Sequence, residues 1–113
     1  MESEIEVVHS HQELLNAVQD NDAALLYFST AACNVCKVLK PKVAQLLDER
    51  FPKIRMFYVD TEQVPEAGGQ FSVFAAPTLV VFFDRREFVR RSRNVGIEEL
   101  ASQLARPYDL MFS

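Results

Sequence analysis

The apolar positions fall into short unbroken runs separated by longer stretches with helical spacing. Residues 24–28 (Ala-Leu-Leu-Tyr-Phe) and 78–83 (Thr-Leu-Val-Val-Phe-Phe) show no polar alternation. Strands of that kind have both faces covered, as in the middle of a sheet flanked by helices. Residues 54–60 read as another strand, with Met56 and Tyr58 on one face and Phe57 and Val59 on the other. Residues 5–8 alternate weakly beside glutamates, which fits a short edge strand. Ser10 and Glu13 form a capping-box signature ahead of Leu14, Leu15 and Val18, and that helix fades at Asp20-Asn21-Asp22. Residues 37–50 place Val38, Leu39, Val43, Leu46 and Leu47 on one apolar stripe, with Pro41 inside it as a kink. Residues 61–71 fit a short helix weakened by Gly68-Gly69, and residues 72–77 a loop. Residues 84–87 read as a tight turn, and residues 88–92 as the hairpin partner of 78–83. Ile97, Leu100, Ala101 and Leu104 mark a last helix that starts near Gly96 and stops before Pro107. The tail, 108–113, is apolar; it fits a partner surface, a dimer contact or a fold back over the last helix.

The order is therefore β-α-β-α-β-α-β-β-α. Strands alternating with helices imply right-handed parallel crossovers, and the closing hairpin makes the sheet mixed. The expected class is α/β. The 113 residues read as a single domain, 1–113, with enough chain for a core. A net charge of −4 argues against general nucleic-acid affinity. No apolar run approaches the length of a membrane span, and residues 1–6 are acidic, unlike a secretory signal. The expected compartment is the cytoplasm, where a cysteine pair is more often catalytic than structural. His9 and His11 read as exposed polar residues beside a helix cap. Arg85, Arg86, Arg90, Arg91 and Arg93 read as charges that blunt an exposed edge strand, with a docking surface as the alternative.

The chemistry concentrates at Cys33-Asn34-Val35-Cys36, which holds the only two cysteines and lies where a strand hands over to a helix. A helix start presents unpaired N–H groups and the positive end of the macrodipole. A thiolate at Cys33 is favoured there, and its pKa is expected below that of a free thiol. Residues three apart share a helix face with Cβ atoms roughly 5–6 Å apart. A small adjustment reaches the roughly 3.5–4.5 Å of a disulfide. Lys37 adds a positive charge. A structural zinc site needs four ligands, and the two histidines show no matching spacing, so no metal is expected. Two inert core cysteines are the remaining alternative; the position between strand and helix favours redox use.

With Lys37, Pro41, Ala76-Pro77-Thr78 and Val95-Gly96 added, the chain resembles the thioredoxin family over about residues 5–105. The resemblance implies the thioredoxin fold, a mixed five-stranded sheet in the order 1-3-2-4-5 with four helices. It implies a cis peptide before Pro77, aiming the Ala76 backbone at an extended substrate. It implies thiol–disulfide exchange in which Cys33 attacks and Cys36 resolves. Ala32, Asn34, Val35, Ala76, Pro77 and Thr78 would meet substrate; Lys37 and Tyr27 would modulate the sulfurs, with the Val35 and Cys36 N–H groups favouring the thiolate. No cofactor is implied beyond the redox-active Cys33–Cys36 pair. The implied partners are disulfide-containing proteins and a thioredoxin-reductase-type electron donor. A monomer is expected, a weak dimer being the alternative.

The departures are specific. Ala32 stands where the family usually has tryptophan, and Asn34-Val35 replaces Gly-Pro. The family's buried aspartate aligns with Tyr27 and its facing lysine with Met56. Losing both is coherent, because a buried lysine without its partner is costly. Tyr27 could take the aspartate's part or could simply pack. These losses motivate two alternatives: a binding or scaffold module with weak turnover, and a sensor whose disulfide state alters partner binding.

Overall fold

The structure, a computed structural model, describes residues 5–112; the acidic start expected at residues 1–4 lies outside them. The sheet is built on β2 (Ala23–Ser29), buried along its whole length. It joins β1 (Ile5–Val8), β3 (Arg55–Asp60), β4 (Thr78–Phe83) and β5 (Arg86–Ser92) in the order β1-β3-β2-β4-β5. β3 runs parallel to β1 and β2, and β4 antiparallel to β2 and β5. This is the thioredoxin fold, with α1 (His11–Gln19), α2 (Asn34–Arg50), α3 (Glu66–Gln70) and α4 (Ile97–Phe112).

Strand alternation splits the core in two. Leu25 and Tyr27 face α2 and α4, meeting Leu39, Val43 and Leu100. Ala24, Leu26 and Phe28 face α1 and α3, meeting Leu14 and Ala67. Met56 and Phe57 divide between those two faces as the sequence pattern requires. Each fully buried aliphatic or aromatic side chain contributes about 1.5–3 kcal/mol, so β2 is the most costly element to disturb.

Four expectations need correction. α2 starts at Asn34, three residues before the expected 37, so Cys33 caps it and Cys36 lies in its first turn. The helix continues through Pro41, whose missing N–H leaves the Lys37 carbonyl without its helical partner. The β4–β5 turn is tighter than expected. Asp84 (φ 52°) and Arg85 (φ 65°) both adopt the left-handed region of a two-residue hairpin loop. Each such residue costs roughly 1–2 kcal/mol, offset here by Asp84 N–H donating to Asp22 O (2.8 Å) and Arg85 Nε to Gln19 O (3.0 Å). His9 is exposed, but His11 is half-buried and its Nδ1 has no partner.

The fourth correction is the tail. α4 does not stop before Pro107 but runs to Phe112. Tertiary packing outweighs the lost hydrogen bond. Tyr108 stands edge-on to Phe51 at 5.1 Å and contacts Phe112 at 4.9 Å. Its hydroxyl accepts from Lys53 N–H at 3.2 Å, and Met111 packs on the same core. The apolar tail therefore folds onto its own chain. Removing the ring in Tyr108→Ala should cost about 1–3 kcal/mol, read as a lower urea midpoint at unchanged slope. A midpoint equal to wild type would show the last turns to be unanchored.

Candidate dithiol site

β2 delivers the chain to the site because it is held on both sides, by β3 and β4. After Ser29 the chain turns through Thr30-Ala31-Ala32, and Cys33 N–H donates to Thr30 O at 3.1 Å. Cys33 is the N-cap of α2, with extended backbone (φ −82°, ψ 101°). Its sulfur accepts the Cys36 N–H at 3.2 Å, the part a serine or aspartate oxygen plays at ordinary helix starts. The Val35 N–H, expected to share that role, makes no hydrogen bond to this sulfur among the described residues.

Cys33 and Cys36 are joined as a disulfide with Cα atoms 5.3 Å apart. Their surroundings differ. Cys33 is partly exposed, whereas Cys36 is 2% exposed and sits in the core beneath α2. Ala76 packs against the same cluster as Cys33, and the Ala76–Pro77 peptide is cis. Thr78 points inward, donating to Ala75 O at 2.7 Å and meeting Ser92 Oγ at 3.1 Å, so it holds the loop from behind. Ala32, Asn34, Val35 and Lys37 are exposed around the sulfurs, while Pro77 is buried.

Tyr27 is fully buried, and its hydroxyl donates to the Cys36 carbonyl at 2.7 Å. Its ring stacks on Tyr58 at 6.1 Å, and Lys40 Nζ lies 4.0 Å from the Tyr58 ring centre. Burial, with Tyr58 second, pushes the Tyr27 phenol well above the usual tyrosine value, so it keeps its proton through neutral pH. Tyr27 thus packs and also braces the first turn of α2. Among the described residues no group of histidine, cysteine and acidic side chains could hold a metal ion.

Two exposed apolar residues at the site, Val38 and Phe74, join the expected Val35. Val38 belongs to the expected apolar stripe, yet it and Val35 are each 60% exposed, and Phe74 is 85% exposed just before Ala76. Val35 and Val38 are three apart, so they form one outward helix face. That spacing was the available signal. They line an open groove of about 760 Å³ between α2 and the segment Arg93 to Ile97.

A half-exposed sulfur capping a helix, a shielded partner one turn inside and a cis-proline loop beside them define a dithiol–disulfide exchange centre on an α/β scaffold. The chain belongs to the thioredoxin family, whose model matches residues 5–106. It is similar to the thioredoxin-like protein YdfQ of Bacillus subtilis, 35% identical over 103 residues that cover 91% of each chain. It is 33% identical to a thioredoxin of Chlamydia trachomatis over 75 residues, 66% of this chain and 70% of that one. Among solved structures it is similar to Fasciola hepatica thioredoxin, at TM-score 0.79 and 28% identity over 89% of this chain and 97% of that one. Oxidised thioredoxin O2 of Arabidopsis thaliana shares the fold at TM-score 0.81, with 24% identity over 94% and 96% of the two chains. The cysteine pair is consistent with the family's thiol–disulfide oxidoreductase chemistry.

In reduced protein, limiting iodoacetamide at neutral pH should label Cys33 well before Cys36. Peptide mapping that finds the first adduct on Cys36 would reverse the two assignments. Tyr27→Phe keeps the packing but removes the bond to the Cys36 carbonyl, and should lower stability by roughly 0.5–1.5 kcal/mol in urea unfolding. A variant as stable as wild type would make Tyr27 a packing residue alone.

Proposed function

We propose that this chain reduces disulfides in proteins, using Cys33 to attack and Cys36 to resolve. The observation that carries the reading is the asymmetry of the two sulfurs: one reachable at a helix start, one shielded one turn inside. In the reduced state the α2 N-terminus and the Cys36 N–H favour a thiolate at Cys33. That thiolate attacks one sulfur of the substrate disulfide. A Cys33–substrate disulfide forms, and the other substrate sulfur leaves as thiolate. Cys36 then gives its proton to solvent or to the departing thiolate and attacks the Cys33 sulfur. The second substrate thiolate leaves, and the Cys33–Cys36 disulfide remains. Two electrons have passed to the substrate.

The Ala76 backbone, aimed by cis-Pro77, presents an extended edge to the substrate chain beside the sulfurs; Thr78 fixes that loop from behind, and Ala32, Asn34 and Val35 lie on the facing side. Lys37 adds positive potential at the helix start, and Tyr27 positions the resolving cysteine through its carbonyl. The exchange needs no cofactor besides the cysteine pair. An external dithiol or a thioredoxin-reductase-type enzyme supplies the electrons. The reading is of a single domain acting as a monomer in the cytoplasm; no helix among the described residues is long and apolar enough to cross a membrane.

Insulin reduction with dithiothreitol tests the activity. Wild type should accelerate insulin precipitation well beyond dithiothreitol alone, and Cys33→Ser should abolish the acceleration. Cys36→Ser should accumulate a dithiothreitol-reversible covalent adduct with insulin, and Cys33→Ser should not. No acceleration by wild type would favour the scaffold alternative, and equal adducts in both variants would remove the two-step mechanism.

A further inference from the structure

We propose that Arg90, locked in place by Glu87, is a positioning residue for the exchange reaction: it fixes the upstream end of the loop that carries cis-Pro77, and so sets how well an extended disulfide substrate seats against Ala76. The proposal deepens, and rests on, the exchange reading above. Three observations carry it.

The first is what the Arg90 side chain does. An arginine that only blunts an edge strand keeps its charge in water. Arg90 turns inward instead. Its Nη2 donates to the Phe71 carbonyl at 2.8 Å and its Nη1 to the Ser72 carbonyl at 3.2 Å. Its Nε and Nη2 also grip the two oxygens of Glu87, each at 2.9 Å. Those bonds engage all three nitrogens of the planar fork, which fixes the plane of the guanidinium. The Arg90 hydrogen bonds hold the Glu87 carboxyl below the usual carboxylate range, so the lock stays ionised at neutral pH.

The second is how the strand makes the lock. Residues three apart in a regular strand point to opposite faces. β5 is not regular there: Val89 pairs with Val81, but Glu87 pairs with Phe82, which leaves Phe88 as an extra residue. Such a bulge re-aims the side chains beside it. It brings Glu87 and Arg90 to the same side. Arg90 itself pairs with Val80 of β4, the strand that begins directly after Pro77. The clamp is therefore built on the same sheet as the proline it serves.

The third is the segment it holds. Phe71 closes α3, a helix of only five residues that includes Gly68 and Gly69. Ser72 is left-handed (φ 54°), a conformation that a residue with a Cβ adopts only when its surroundings impose it. The loop then runs through buried Val73 and exposed Phe74 to Ala76, which packs on the Cys33 cluster. Its downstream end is fastened by Thr78 Oγ1 donating to Ala75 O at 2.7 Å and by Arg93 N–H donating to Pro77 O at 2.8 Å. Arg90 fastens the upstream end. A substrate strand that pairs with the Ala76 backbone reads the position of this loop; a small disulfide with no peptide chain does not.

Two substrates test this: a peptide closed by one disulfide, and bis(2-hydroxyethyl) disulfide. R90A should raise KM for the peptide about fivefold or more and leave kcat within about twofold. Its rate on the small disulfide should stay within about twofold of wild type. R90K, which keeps the charge but loses the fork, should fall between the two. E87A should raise the peptide KM less than R90A, and E87A/R90A should match R90A alone, because Glu87 acts only through Arg90. An unchanged peptide KM in R90A, equal slowing on both substrates, or additive effects in the double variant would overturn the proposal. If wild type reduces neither substrate, the exchange reading fails and amide exchange decides the clamp. The Phe71 and Val73 N–H groups should then exchange about tenfold faster in R90A than in wild type. Equal exchange would overturn the clamp itself.

Discussion

A strand covered on both faces leaves the chain little choice about where it emerges. β2 is paired with β3 on one side and β4 on the other, and helices lie above and below it. Its exit point, Ser29, is held as well: its carbonyl accepts Thr61 N–H at 3.0 Å. The turn to Cys33 is short, so the sulfur must arrive at the start of α2. β4 is constrained by the same pairing, and it begins directly after Pro77. The register of Phe28 against Thr78 therefore brings the cysteines and the proline loop together. The reactive constellation is a boundary condition of the central strand.

The interior beneath the sulfurs is built without a charge. Where the family usually has an aspartate facing a lysine, this chain has Tyr27 and Met56, both in the core against α2 and α4. A buried ion pair is stabilising only when both members are present and hydrogen-bonded, so exchanging both together avoids a stranded charge. The phenol supplies one donor at one fixed place, the Cys36 carbonyl, and nothing to titrate near neutral pH. What the substitution keeps is mechanical support for the first turn. What it gives up is a carboxylate that could accept a proton beside the resolving sulfur.

The parts of the fold legible in sequence are those where local pattern and global environment agree. The apolar runs of β2 and β4, the alternation of β3 and the Ser10 cap all reappear, Ser10 Oγ accepting Glu13 N–H at 3.1 Å. The errors fall where tertiary contacts override local preference. Asn34 and Val35 are weak helix formers, and cysteine is not a usual cap, so local preference puts the start of α2 a turn late. Pro107 reads as a stop, but Phe51 and Lys53, far back in the chain, hold the turns beyond it. At the site, the cysteines and the Pro77 loop were readable because each is a compact motif. The open groove beside them was not, because its walls come from residues some fifty positions apart that only the fold brings face to face.

The first turns of α2 combine features that together set them apart from the rest of that helix. Asn34, Val35, Cys36 and Val38 are indifferent helix formers, and Pro41 removes the hydrogen bond that would link the Lys37 carbonyl to the next turn. Beyond Pro41 the helix is anchored by buried Val43, Leu46 and Leu47. The segment carrying the sulfurs is held by the Cys33 cap, the Tyr27 brace, the buried side chains of Cys36 and Leu39, and the covalent link between the cysteines. Breaking that link removes one of these restraints from a stretch with little intrinsic helicity. Oxidation state and local unfolding free energy are then linked legs of one thermodynamic cycle: whatever the disulfide adds to the stability of this turn, the turn adds to the stability of the disulfide.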